Sequence, residues 1–259
     1  LLLSSDHKAS MNKLFYKIKP TSGIASALHV LLKTLLPIAA LLFTRLGFDY
    51  IAIAVVLLAK WRMFAVRPRY WIPNIRSNAI DIFVGLSAVG FIAGTSIELT
   101  QLFWTFAYIY WLVWLKPRSN PVAVMAQALI AQAIVLVAFY RAFPSSSLLT
   151  GVIVTWAICY SVARHFLGAF NEPLTRQITH LWAWFGAIMA WVLGHWVIQY
   201  LFLPQIALIL TVLGYGLATF YYLESSERLK ANVRRQLLGV MGLILLIIIV
   251  FSDWQDKTV

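Results

Sequence analysis

The sequence predicts an all-α, polytopic transmembrane helical bundle of about nine spans, with a cytoplasmic N-terminus and no soluble domain. Three observations predict it. Hydrophobic residues make up 61% of the chain and charged residues 12%, with a mean hydropathy of +0.81, outside the range of a soluble globular domain. Apolar stretches of about twenty residues recur with short gaps, the length a helix needs to cross a bilayer. Lysine and arginine then collect in alternate loops, as the positive-inside bias requires.

Taken in order, the spans are expected at 23–45, 50–66, 78–97, 99–116, 121–141, 147–168, 177–199, 204–223 and 236–252. Lipid offers no partner for a backbone N–H or C=O, so each span must close its own hydrogen bonds as a helix. Asn120-Pro121 supplies an N-cap and a first-turn proline for the fifth span. "FPSSS" (143–147) breaks the chain before the sixth, and "NEP" (171–173) before the seventh. Residues 1–22 form a cytoplasmic segment, 23–252 a single membrane domain and 253–259 a short tail. The first ten residues precede Met11 and are set aside as an upstream extension; no cleavable signal is expected.

Charge sorting tests the count. With the N-terminus inside, the cytoplasmic side receives Lys8, Lys13, Lys17, Lys19, Lys60, Arg62, Arg67, Arg69, Arg76, Lys116, Arg118, Arg164, Arg176, Arg228, Lys230, Arg234 and Arg235. The far side receives only Arg45, Arg141 and Lys257, and Lys33 stays inside the first span. A missed or invented span would scramble this alternation downstream of the error. The same bias accounts for the net charge of +12, so no nucleic-acid partner is expected. The single Cys159 excludes an intrachain disulfide and a thiolate metal site. The setting is a bacterial-type inner membrane.

"KWRMFAVRPRYW" (60–71) gathers four cations within ten residues, Lys60, Arg62, Arg67 and Arg69, interleaved with aromatics. Two readings compete: a juxtamembrane anchor, or a pocket for an anionic or polyprenyl-phosphate lipid head. Lys60, six residues and Arg67-Pro68 are similar to the first element of the lipid phosphate phosphatases, where cations hold a substrate phosphate. That family also carries P-S-G-H and S-R-x5-H-x3-D elements. Here the nearest strings are "PSSS" (144–147) and "SVARHFLGAFNEP" (161–173), so the match is chance and no role is carried over.

Polar residues inside the spans are the other candidates, because ionisable groups in a membrane are costly and commonly functional. Asn74, Asn78 and Asp81 share one face at the start of the third span, with Asp81 placed to balance Lys60 or Arg62. Ser26, His29, Lys33 and Pro37 align on the first span, and Lys33 lies about 15 Å deep, facing the bundle interior in search of an acid or carbonyl. Arg164 and His165 close the sixth span. His180 and His195 share a face of the seventh with Trp184 and Trp191, and their spacing resembles the haem ligands of cytochrome b helices. No second helix carries a matching pair, so neither haem nor any other cofactor or metal is expected. Gly90-xxx-Gly94 and Gly186-xxx-Ala190-xxx-Gly194 read as packing seams. The functional expectation is a non-enzymatic membrane protein binding anionic lipid heads, within reach of partner membrane subunits. A solute or lipid transporter, or a transferase on a lipid-linked substrate drawing on Asp81, Glu172, Arg164 and His165, are the alternatives.

Overall fold

The computed structural model describes residues 23–170 and 172–256. Lys8, Lys13, Lys17, Lys19 and Lys257 fall outside these, as do the side chains of His29 and Arg62. Among the described residues the fold is all-helical apart from one small sheet. The helices are α1 (Gly23–Arg45), α2 (Asp49–Leu58), α3 (Trp71–Ala93), α4 (Glu98–Tyr110, continued by a π-helical turn at Trp111–Leu115), α5 (Pro121–Ala142), α6 (Leu148–Gly168), α7 (Thr175–Leu193), α8 (Gln205–Ser225) and α9 (Ala231–Val250). Five stretches are long and apolar enough to cross a membrane: Pro68–Ala93, Pro121–Ala142, Leu148–Gly168, Gln205–Ser225 and Ala231–Val250.

Helix starts follow their local chemistry. Asn120 caps α5, its side chain accepting from the Ala123 N–H at 2.9 Å with Pro121 in the first turn. Ser147 caps α6 by accepting from the Thr150 N–H at 3.2 Å.

Three expectations are corrected. The apolar pattern predicts a second span over 50–66, but α2 ends at Leu58. Ten residues rise about 15 Å, half of a hydrocarbon core about 30 Å thick. Arg67 precedes Pro68 and takes an extended conformation (φ −55°, ψ 140°), because a residue before proline is driven out of the helical region. Between them the chain is held by short turns at Trp61–Met63 and Pro68–Tyr70.

The seventh span is predicted to reach residue 199, but α7 stops at Leu193. Gly194 ends it, and the β-branched and aromatic run that follows makes strand β1 (Trp196–Tyr200). A turn at Leu201, with φ of 57°, leads to β2 (Leu203–Pro204), while β3 (Asp253–Asp256) pairs along the other edge, Ile198 opposite Trp254. The sheet is antiparallel throughout, in the order β2-β1-β3.

The third correction concerns the small-residue stripes. Around Gly186 the seam is real: α6 and α7 share the most extensive helix contact, and a Cβ at Gly186 would lie 2.6 Å from Cys159 Sγ. Gly90 has nothing within 4 Å of the corresponding position, so its stripe is not a seam. The close approach on α3 comes at Gly85 instead, where a Cβ would meet Tyr108 Oη at 2.6 Å and Val56 at 2.7 Å.

The core runs through α3, α5, α6 and α8, with Ile92, Leu136, Ile158 and Leu210 among its fully buried side chains. Helix α9 packs on α8 and buries only Ile248.

Candidate functional site at the basic end of the bundle

Six helix ends meet where the basic segment lies: the end of α2, the start of α3, the end of α4, the start of α5, the end of α6 and the start of α7. Asp81, two and a half turns into α3 and 8% exposed, is the centre. Its Oδ2 accepts from Lys60 Nζ at 3.0 Å and also pairs with Lys116 Nζ, while its Oδ1 accepts from Trp111 Nε1 at 3.2 Å. One carboxylate thus faces two ammonium groups, and the cluster keeps a surplus positive charge. Burying an acid in this way is tolerable because both of its oxygens are paired.

The route to Lys116 depends on how α4 ends. Its last turn widens, the Lys116 N–H donating to the Trp111 carbonyl at 2.8 Å, five residues back. This turn presents Trp111 and Lys116 together to Asp81. Gln127 of α5 secures it from outside, its Nε2 donating to the carbonyls of Leu115 (2.7 Å) and Arg118 (2.8 Å). With that amide nitrogen committed, Gln127 Oε1 is the acceptor for His165 Nε2 at 3.0 Å, which places the proton of a neutral His165 on Nε2. A continuous polar chain therefore links Lys60 on one side of the bundle to α6 on the other.

Beyond His165 the charge stays positive, without a carboxylate. Pro73, Arg76 and Ser77 of α3 and Arg164, His165 and Gly168 of α6 line an open groove of about 360 Å³. No carboxylate is among its lining residues, and neither guanidinium has an ion-pair partner among the described residues. Arg76 lies 5.9 Å over the Tyr160 ring of α6. The start of α3 is fixed by its polar face: Asn78 Nδ2 donates to the Asn74 carbonyl at 2.9 Å, and Asn74 Nδ2 reaches the Met63 carbonyl at 3.4 Å.

Of the four cations expected to act together, the three whose side chains are described do not converge. Lys60 turns inward, with a side chain 11% exposed and committed to Asp81. Arg67 and Arg69 remain on the surface, Arg69 stacking 4.7 Å over Tyr70. Trp71 Nε1 donates to the Val66 carbonyl at 3.0 Å and its ring meets Phe64 edge-on, which gives this loop its shape.

The remaining candidates lie elsewhere. Lys33 is half-buried on α1, a helix that exposes Leu28, Leu31, Leu32 and Leu35, and it finds neither the acid nor the carbonyl expected for it among the described residues. His180 Nδ1 donates to the Arg176 carbonyl one turn back at 2.6 Å. His195 lies at the opposite end between the rings of Trp191 and Trp196. Glu172, weighed as a catalytic acid, accepts instead from the Tyr221 hydroxyl and from the Leu174 N–H. No group of His, Cys, Asp and Glu able to hold a metal occurs among the described residues.

Sequence reasoning put Lys116 and Arg76 on the cytoplasmic side without singling them out as site residues, and missed Trp111 and Gln127. Gln127 had a signal, an amide inside an apolar span. Lys116 and Arg76 had none that distinguished them from other loop cations.

No protein-family model, curated protein or solved structure matches this chain.

Proposed function

We propose that this chain is a non-enzymatic, multi-pass membrane protein that holds anionic lipid phosphate heads, polyprenyl phosphate among them, at its cytoplasmic end. The site we assign is the groove between α3 and α6, with Arg76 and Arg164 as the charged donors and Ser77 and His165 as neutral residues of its wall. One observation carries the reading: two arginines from different helices line an open groove whose lining contains no carboxylate. Guanidinium forks match phosphate oxygens in bidentate geometry, so unpaired arginines in such a place favour a phosphate head over a zwitterionic one. The Lys60–Asp81–Lys116 cluster supports the groove from behind, adding one surplus positive charge at the same end of the bundle.

The membrane frame belongs to the same proposal. Nine crossings, with α2 and the turns after it forming the second, put the groove, Arg67 and Arg69 on the cytoplasmic side of a bacterial-type inner membrane. Arg67 and Arg69 draw anionic lipid to the surface by charge alone, each contributing on the order of 1 kcal/mol. The bare flank of α9 is open to lipid or to a partner subunit.

The test is quantitative lipid analysis of the full chain extracted in mild detergent. The variant Arg76→Gln/Arg164→Gln is expected to lose co-purifying phosphate lipid by roughly thirtyfold, from two cation contacts of about 1 kcal/mol each. Arg67→Gln/Arg69→Gln is expected to lose retention at low salt, with little difference left above about 0.3 M, since exposed charges are screened. Unchanged retention in the Arg76/Arg164 variant would sink the proposal.

A further inference from the structure

The opposite end of the bundle holds a second, chemically different site. The end of α5, the start of α6, the end of α7, strand β1 and the start of α8 surround a cavity of about 60 Å³. Its wall includes Tyr140, Ser147, Gly194, Trp196, Gln199 and Gln205, and no charged residue. At roughly 10–15 Å³ for each water on this measure, the space takes a few waters or one edge of a small ring.

Gln205 is the observation that demands a ligand. It is 0% exposed, and neither its Oε1 nor its Nε2 has a hydrogen-bond partner among the described residues. Buried amides left so are rare, because each orphaned group forfeits its hydration without replacement. Gln205 is also the first residue of α8, whose N-cap is Pro204, and no side chain caps that end. The first-turn N–H groups of α8 therefore have no side-chain acceptor at the cap. The start of α6 is different, since Ser147 already accepts from the Thr150 N–H.

The pattern of unmet bonds selects the chemistry. An orphan donor and an orphan acceptor on one amide need a group that accepts and donates at once. A bare anion satisfies only Nε2 and a cation only Oε1, and the wall holds no countercharge for either. A hydroxyl does both. Trp196, 40% exposed, adds a flat apolar face beside the opening, suited to the C–H side of a sugar or glycerol unit. We propose that this cavity binds the hydroxylated edge of an uncharged polyol, supplied either by a free sugar or by the sugar head of a lipid.

The test uses the full chain in a detergent without a sugar head, with saturation-transfer NMR on methyl glucoside, acetate and methylammonium as probes. In parallel, native mass spectrometry compares glucosyl diacylglycerol with diacylglycerol. Methyl glucoside or the glucosyl lipid is expected to bind, and which one does so identifies the source. Gln205→Leu should weaken that binding at least about tenfold, as when one polar partner of a hydroxyl is removed, without lowering the melting temperature. Gly151→Ala serves as a second variant: its added Cβ would lie 3.7 Å from Tyr140 Oη, an ordinary contact, and both residues line the cavity. It should narrow the space and weaken binding while the fold persists. Binding of acetate or methylammonium as strong as that of the glucoside would overturn the proposal. So would glucoside binding indifferent to Gln205→Leu, or no binding by any probe, the result for a cavity that holds water only.

Discussion

Asp81 shows how one residue is read differently by sequence and by structure. Its position on a polar face with Asn74 and Asn78, within reach of Lys60, is legible from helical spacing alone. The second ammonium is not, because Lys116 reaches Asp81 only through the widened turn at the end of α4. A π-helical turn changes the phase of every side chain beyond it, and periodicity cannot announce it. The pairing makes a prediction at this scale. Asp81→Asn leaves the buried Lys60 and the part-exposed Lys116 without a counter-ion and should cost about 3–5 kcal/mol of stability, the range for breaking a buried pair. Lys60→Met should cost less, because Lys116 still answers the carboxylate. Denaturant titration in detergent distinguishes these, and equal losses in the two variants would contradict the shared pairing.

At the scale of elements, the spans that read true are those whose ends carry their own chemistry. Asn120-Pro121 and Ser147 mark the starts of α5 and α6 by capping, a local effect visible in three or four residues. The short α2 and the strand at 196–200 escape such a reading because apolar content measures length in lipid, not conformation. Helix α2 gives way after Leu58 to short turns, and Trp196–Tyr200 finds strand partners more than fifty residues away, in Asp253–Asp256. Small-residue stripes are equally ambiguous, since a glycine marks a seam only when a neighbour fills its space. Gly186→Ala would force a Cβ to 2.6 Å from Cys159 Sγ and should destabilise the α6–α7 pair by about 1–3 kcal/mol, as overpacking does. Gly90→Ala meets nothing and should leave stability unchanged or raise it through better helix propensity. Thermal unfolding of the two variants side by side checks both.

For the whole molecule, composition alone establishes the helical, apolar class, and charge alternation proposes which ends face the cytoplasm. The two ends then separate by chemistry. One gathers unpaired arginines and the Asp81 cluster; the other holds an uncharged cavity around Gln205. Gathering these groups is a tertiary event: Arg76 and Arg164 stand far apart in the chain, on α3 and α6, and no local pattern joins them. The orientation has its own check, helped by Cys159 being the single cysteine. In a Cys159→Ala background, Arg118→Cys should react with a membrane-impermeant thiol reagent only in inside-out vesicles, and Ser145→Cys only in right-side-out ones. Labelling of both from one side would break the assigned topology.

The central claim is that the α3–α6 groove takes a phosphate head in preference to other lipids. The most direct measurement places a photo-crosslinking residue at position 77, in the groove wall, with the full chain in nanodiscs of mixed anionic and zwitterionic phospholipid. After illumination, mass spectrometry identifies the attached lipid. The account predicts anionic phosphate lipids enriched well above their mole fraction, with the enrichment lost in Arg76→Gln/Arg164→Gln. Attachment in simple proportion to bilayer composition would contradict it.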